Sequence, residues 1–451
     1  MAWSNHRTER MTRERSDTIF ALSSGGLPSG VAVIRISGAG CREALTGLTG
    51  SVPRARTAAL RSIHNRNDLL LDRALVLFFA GPHSFTGEDC AELQVHGGRA
   101  SVKAVLDALG SFDGFREAEA GEFTRRAFHN GKLDLVEVEG LADLLAAETE
   151  MQRRLAVEHA TGALSALYGV WARRLVHARA MIEAELDFAD EEDIPGSVSD
   201  TIWTDLAQLT TEIDAHVVAG TVGEVIRDGL RIVVAGAPNS GKSSLINYLS
   251  GRDIAIVTDI PGTTRDLISV DLDLAGYLVR LTDTAGLRET EEPVEREGIR
   301  RARTAIAEAD LVIELSDDWS GPTLSTGPGR ETLRVFSKAD GGVQGGRPDW
   351  ADLAISVHTG YGMEDLLAAL RVRLPAAADG HAMALPTRRR HMACLADVVR
   401  EIGAADVVRR QGLDLAAEHL RRATDALGRL TGRVDVEDLL DVIFSEFCIG
   451  K

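Results

Sequence analysis

A chain of 451 residues with 44% hydrophobic and 26% charged side chains can bury substantial cores and has room for roughly two to four domains. Its formal net charge of −18 excludes a broad basic surface for nucleic acid and leaves only local patches such as Arg388-Arg389-Arg390. No run approaches the roughly 20 apolar residues of a membrane span. The cysteines, Cys41, Cys90, Cys394 and Cys448, lie too far apart in sequence to suggest a disulfide framework or a zinc site, which fits a reducing cytoplasm.

The first 16 residues mix Arg and Glu with no apolar block, so they read as a disordered extension with an alternative start at Met11, and not as a secretory or transit peptide. From Thr18 to about Gly131 the pattern is mixed: Val31 to Ile36 and Ala74 to Phe79 are predicted as buried strands, Ser101 to Leu109 as a helix. From Leu133 to about Val225 apolar residues recur at three and four, along Leu135, Val138, Leu141, Leu144 and Leu145, then Leu164, Leu167, Trp171 and Leu175. That spacing predicts long helices packed on one another. The acidic stretch Asp187 to Ser199, closed by Pro195-Gly196, is predicted as a loop.

Between Gly229 and about Pro375 the period changes to strand–helix alternation, with predicted strands at 231–235, 267–274, 277–283, 310–315, 333–336 and 353–357. Six strands with intervening helices suggest a doubly wound sheet whose ligand sits at the carboxyl strand ends. After Pro386 the helical period returns through Val398, Ile402, Val407, Leu413, Leu420 and Leu427, until the terminal Phe444 to Lys451. The strand–helix segment is therefore expected as an insertion in a helical domain made from both flanks.

Residues 236 to 243 read Gly-Ala-Pro-Asn-Ser-Gly-Lys-Ser, a full G-x-x-x-x-G-K-S phosphate loop between an apolar strand and a helix. Such a loop turns backbone N–H groups toward a polyphosphate; Lys242 supplies charge to the outer phosphates and Ser243 a hydroxyl to Mg²⁺. Downstream come Gly262-Thr263-Thr264-Arg265-Asp266, Asp283-Thr284-Ala285-Gly286, Ser337-Lys338-Ala339-Asp340 and Ser356-Val357-His358. An ionised Asp340 can accept from guanine N1–H and the exocyclic amine, whereas adenine would leave it unpaired. GTPases usually carry Asn where Ser337 stands, and Ras-like enzymes carry a water-positioning Gln where Leu287 stands. Another group must then orient water, and the Glu-rich run Glu289, Glu291, Glu292, Glu295 and Glu297 offers several. Asn239 could brace the loop or help hold a monovalent cation in place of an arginine finger.

Together the phosphate loop, Ile256 to Asp266, Asp283 to Arg288 and the terminal Phe447-Cys448-Ile449-Gly450-Lys451 resemble the MnmE, or TrmE, family of tRNA-modification GTPases. Further matches lie in Val33 to Gly38, Ser84 to Asp89, Val95 to Gly98, Gly121 to Phe128 and Asn130 to Asp134, so the resemblance covers nearly the whole chain. It implies an N-terminal α+β domain (17–131) that binds tetrahydrofolate and dimerises. It also implies a discontinuous helical domain (132–225 and 376–451) and an inserted Ras-like GTPase domain (226–375). By matching positions, the resemblance implies GTP contacts from Asn239, Ser240, Gly241, Lys242, Ser243 and Ser244, and from Thr258, Asp259, Ile260, Pro261, Gly262, Thr263 and Thr264. The same holds for Asp283 to Gly286, Ser337 to Asp340 and Ser356 to His358. It assigns K⁺ to Asn239, Thr258, Ile260 and Thr263, Mg²⁺ to Ser243 and Thr264, and the catalytic glutamate to Glu295. Arg35, Glu92, Lys132 and Lys451 correspond to contacts of 5-formyltetrahydrofolate or a relative, and Cys448 is either a functional thiol beside it or a buried small hydrophobe. The implied activity is K⁺-activated GTP hydrolysis by a cytoplasmic homodimer. With the FAD-using partner MnmG (GidA), it installs an aminomethyl or carboxymethylaminomethyl group at carbon 5 of the wobble uridine of certain tRNAs. The nucleotide motifs alone also fit a ribosome-assembly GTPase or a non-catalytic GTP-binding module.

Overall fold

The computed structural model describes residues 17–187, 198–256, 269–283, 304–322, 331–340, 347–375 and 384–434, together with 440, 443, 444, 447 and 450. The chain divides into two compact units, Met1–Ala142 with Gly428–Lys451, and Asp143–Leu427.

The first unit is organised by a six-stranded sheet of β1 (Thr18–Leu22), β2 (Ser29–Ser37), β3 (Ala59–His64), β4 (Leu70–Phe79), β5 (Cys90–Gly97) and β6 (Phe115–Glu117). Their spatial order is β3-β4-β5-β2-β1-β6, antiparallel throughout except for β1 and β6. Strand alternation sends Ile34, Ile36, Val76, Phe78, Leu93 and Val95 to one face, where they are buried with Leu45 and Leu48 of helix Cys41–Thr49 and Val102, Val105 and Leu109 of helix Arg99–Gly110. Arg35 and Glu92 alternate with that set and belong to the opposite face. A smaller cluster of Leu135, Val138, Leu440, Ile443, Phe444 and Phe447 fastens the end of the chain to this unit.

In the second unit the predicted long helices run over Glu150–Ala160, Ala163–Asp187, Val198–Asp228 and Arg389–Val408. Asp187 and Val198, both within the stretch predicted as a loop, belong to these helices; 188–197 lie outside the described residues. The second sheet consists of β7 (Leu230–Gly236), β8 (Ser269–Leu274), β9 (Tyr277–Asp283), β10 (Leu311–Ser316), β11 (Thr332–Phe336) and β12 (Leu353–Ala354). In the order β12-β11-β10-β7-β9-β8 all are parallel but β8, which runs antiparallel to β9. Its core is shared: Met151, Leu155 and Ile226 from the helices are buried in one cluster with Leu230, Ile232, Leu274 and Tyr277. The backbone N–H of Met151 also donates to the Gly276 carbonyl in the β8–β9 turn, at 3.1 Å.

Candidate functional site

β7 delivers the chain into Gly236 to Gly241, and helix Lys242–Ser250 takes it away. The loop requires backbone shapes that side chains resist, with φ of +155° at Gly236, +62° at Asn239 and +97° at Gly241. A Cβ on Gly236 would run into the Leu315 carbonyl oxygen and Ser240 Oγ, so glycine is obligatory there. Lys242 is almost fully buried, and its ammonium donates to the carbonyls of Gly236 at 3.0 Å and Ala237 at 2.8 Å. Ser243 Oγ donates at 2.7 Å to Asp283 Oδ2, at the carboxyl end of β9. A hydroxyl and a carboxylate meeting at a helix N-terminus beneath a cationic ammonium form an oxygen donor set suited to Mg²⁺ beside a polyphosphate.

The ends of β10, β11 and β12 form the other flank of this edge. Ser337 follows β11, is buried, and donates through Oγ to the Ser240 carbonyl at 2.7 Å. Lys338 holds φ of +56°, and its ammonium lies 2.6 Å from Asp317 Oδ2, a bond that holds the Asp317 carboxyl below the usual range. Asp317 was not singled out in sequence; its position directly after a buried strand was the available signal. The Ala339 N–H donates to the Ile355 carbonyl at 3.0 Å, and Asp340 is exposed. Ser356 is fully buried, accepting from the Thr359 N–H at 3.2 Å, while His358 is exposed. Asn239 to Ser244, Asp283, Ser337 to Asp340 and Ser356 to His358 thus share the carboxyl edge of one sheet. Thr258, Asp259, Ile260, Pro261, Gly262, Thr263, Thr264, Thr284, Ala285, Gly286 and Glu295 lie outside the described residues.

On the N-terminal sheet Arg35 and Glu92 are register partners on β2 and β5, with a guanidinium nitrogen 3.0 Å from Glu92 Oε1. The guanidinium also lies 5.4 Å from the Phe85 ring centre and 5.7 Å from that of Phe123. Lys132 donates to the Pro82 carbonyl at 2.9 Å. Ser23 Oγ donates to the Gly450 carbonyl at 2.7 Å, and Gly450 holds φ of +97° where a Cβ would strike the Leu22 carbonyl oxygen. The end of the chain is therefore seated just past β1, while Cys448 and Lys451 lie outside the described residues. The almost fully buried Arg126 binds Glu88 at 3.2 Å, Asp17 at 2.8 Å and Glu122 at 3.1 Å. Burial opposes ionisation of Glu122, yet hydrogen bonds from Arg116 and the Glu119 N–H hold its carboxyl below the usual range. Sequence reasoning missed this network because its members come from separate segments; the motifs containing Glu88 and Arg126 were the only hint.

Phosphate loop, serine–aspartate pair and guanine-type element on a mostly parallel sheet define a phosphate-loop GTPase. A family model described as the GTP-binding protein TrmE N-terminus matches residues 18–132, and one described as the MnmE helical domain matches 135–448. The tRNA modification GTPase MnmE of Sinorhizobium medicae is 63% identical, with 97% of this chain and 99% of that protein covered. Its Rhizobium meliloti counterpart is 59% identical with the same coverage. The chain belongs to the MnmE family of tRNA modification GTPases. Among solved structures, the G domain of the Thermotoga maritima FeoB iron transporter aligns at 24% identity over 32% of this chain and 98% of that chain, with a TM-score of 0.25.

Proposed function

We propose that this GTPase works by K⁺-stimulated hydrolysis at the carboxyl edge of the second sheet, in support of one-carbon chemistry at the N-terminal sheet. The observation behind the first half is the meeting of Lys242, Ser243 and Asp283 around one loop. With GTP present, the Lys242 ammonium exchanges the loop carbonyls for the outer phosphates. Ser243 and Thr264 would ligate Mg²⁺, which would neutralise phosphate charge, and Asp283 would help to hold it through water. Asp340 reads guanine, Glu295 orients the attacking water in place of the missing Gln, and Asn239 with Thr258, Ile260 and Thr263 would hold K⁺. The second half rests on Arg35, Glu92 and Lys132 and on the seating of Gly450, which bring cationic and carboxylate groups and the chain end into one unit. Here the ligand is 5-formyltetrahydrofolate or a relative, with Lys451 completing the pocket and Cys448 as a candidate thiol. The Arg35–Glu92 pair must open or be shared when a pterin donates to Glu92.

On this reading the division at 17–131, 132–225 with 376–451, and 226–375 separates folate, helical and GTPase functions. The chain acts as a cytoplasmic homodimer with MnmG to place an aminomethyl or carboxymethylaminomethyl group on carbon 5 of the wobble uridine. No helix among the described residues is long and apolar enough to cross a membrane. An arginine finger contributes about 10³ to 10⁵ in rate, so even partial replacement by an ion is measurable. GTP turnover at equal ionic strength should be much faster in KCl than in NaCl, and Asn239→Ala should lose that difference. Equal rates in the two salts would remove K⁺ from the mechanism and favour a non-catalytic switch.

A further inference from the structure

The hydroxyl of Ser337 has one proton, and a carbonyl can only accept, so its 2.7 Å contact with the Ser240 carbonyl uses that donor completely. The bond is buried and joins residues 97 positions apart, tying the segment after β11 to the middle of the phosphate loop. Two nearby backbone donors are committed as well: the Ser337 N–H donates to the Ser316 carbonyl at 2.9 Å and the Ala339 N–H to the Ile355 carbonyl at 3.0 Å. Guanine presents acceptors at N7 and O6 along one edge and donors at N1 and its amine along the other. Asp340 is suited to the donor edge, but Ser337 has no proton left for N7, and its oxygen could offer N7 only a second lone pair.

We propose that Ser337 is a positioning residue for the phosphate loop and not a reader of the base, so that it gives guanine N7 no hydrogen bond. The proposal rests on the reading that residues 337–340 face guanine. An Asn at this position would differ in kind, because its amide carries two protons: one could hold the Ser240 carbonyl and the other could reach N7. The serine therefore keeps the tether between base segment and phosphate segment while giving up one point of base discrimination.

The test uses the full-length protein and calorimetry with GDP and with 7-deaza-GDP, in which a C–H replaces N7. Wild type should bind the two within about twofold of each other, whereas Ser337→Asn should prefer GDP by about tenfold, the scale of one added hydrogen bond. Ser337→Ala should weaken both ligands equally, by about tenfold, because a buried loop carbonyl loses its donor. That common loss identifies positioning, since removal of a base contact would fall on GDP alone. A wild-type preference for GDP of about fivefold or more, or a Ser337→Ala loss confined to GDP, overturns the proposal. Asp340→Asn tests the underlying reading separately: it should shift preference from GDP to xanthosine diphosphate, and failure to do so would mean that this segment does not face the base.

Discussion

At the carboxyl edge of the second sheet most of the groups expected to meet a nucleotide come from short contiguous stretches. On the N-terminal sheet, by contrast, Arg35, Glu92, Lys132 and Gly450 arrive from four distant points of the chain. In the first region a strand, a loop of fixed backbone shape and a helix determine the geometry locally, so replacing one residue should remove function while the fold survives. In the second, geometry depends on which strands pair and in which register, and on how the chain end packs, so the same groups should be more sensitive to distant packing changes.

The largest effect expected is for Lys242→Ala. Loss of the ammonium beneath the loop should lower GTP hydrolysis by about 10³-fold or more with the thermal unfolding temperature little changed, as measured by phosphate release and calorimetry. An accompanying collapse of stability would show that the loop is not locally determined. Next, if Glu295 acts on water as proposed, Glu295→Ala should slow hydrolysis by about 100-fold while nearly preserving GTP affinity. If Glu289 or Glu292 showed that pattern instead, Glu295 would lose its role.

The N-terminal site sharpens the contrast. Gly450→Val forces a side chain against the Leu22 carbonyl at φ of +97°, and should weaken 5-formyltetrahydrofolate by about tenfold without affecting GDP. Unchanged folate affinity would separate the seated chain end from the site.

How far each region could be read in advance follows the same division. The phosphate loop was legible because Gly236, Gly241, Lys242 and Ser243 each answer to a local constraint, and the strands around it were legible because apolar runs such as Arg231 to Ala235 are bounded by punctuation. The Ser337–Ser240 bond was not, because nothing in either motif says that β7 and β11 flank β10. Arg35 and Glu92 were marked as separate ligand groups only through family resemblance. That they bind each other follows from the β2–β5 register, which joins residues 57 apart. Glu314 escaped notice altogether, since a carboxylate in the middle of the β10 strand looks like a solvent-facing alternation until five parallel strands bury it.

That residue provides the smallest effect. Glu314 is buried, its Oε1 has no hydrogen-bond partner among the described residues, and the Arg334 guanidinium stands 3.8 Å from its other oxygen. Burial pushes its carboxyl above the usual range despite Arg334. The folded state therefore binds its proton more tightly than the unfolded chain does. The destabilisation is absent below the unfolded value near 4.5 and grows as pH rises through the window above it. Glu314→Leu should raise stability by about 1 kcal/mol at pH 7 and by less at pH 4, as followed by urea unfolding. Equal changes at both pH values would rule out a titrating origin.

The separation of two sites is tested most directly by calorimetric titration of GDP and 5-formyltetrahydrofolate into three full-length proteins: wild type, Lys242→Ala and Glu92→Ala. Wild type should bind both ligands, Lys242→Ala should lose GDP and keep folate, and Glu92→Ala should lose folate and keep GDP. Absence of folate binding to wild type, or loss of both ligands from either variant, would contradict a chain built around two chemically distinct sites.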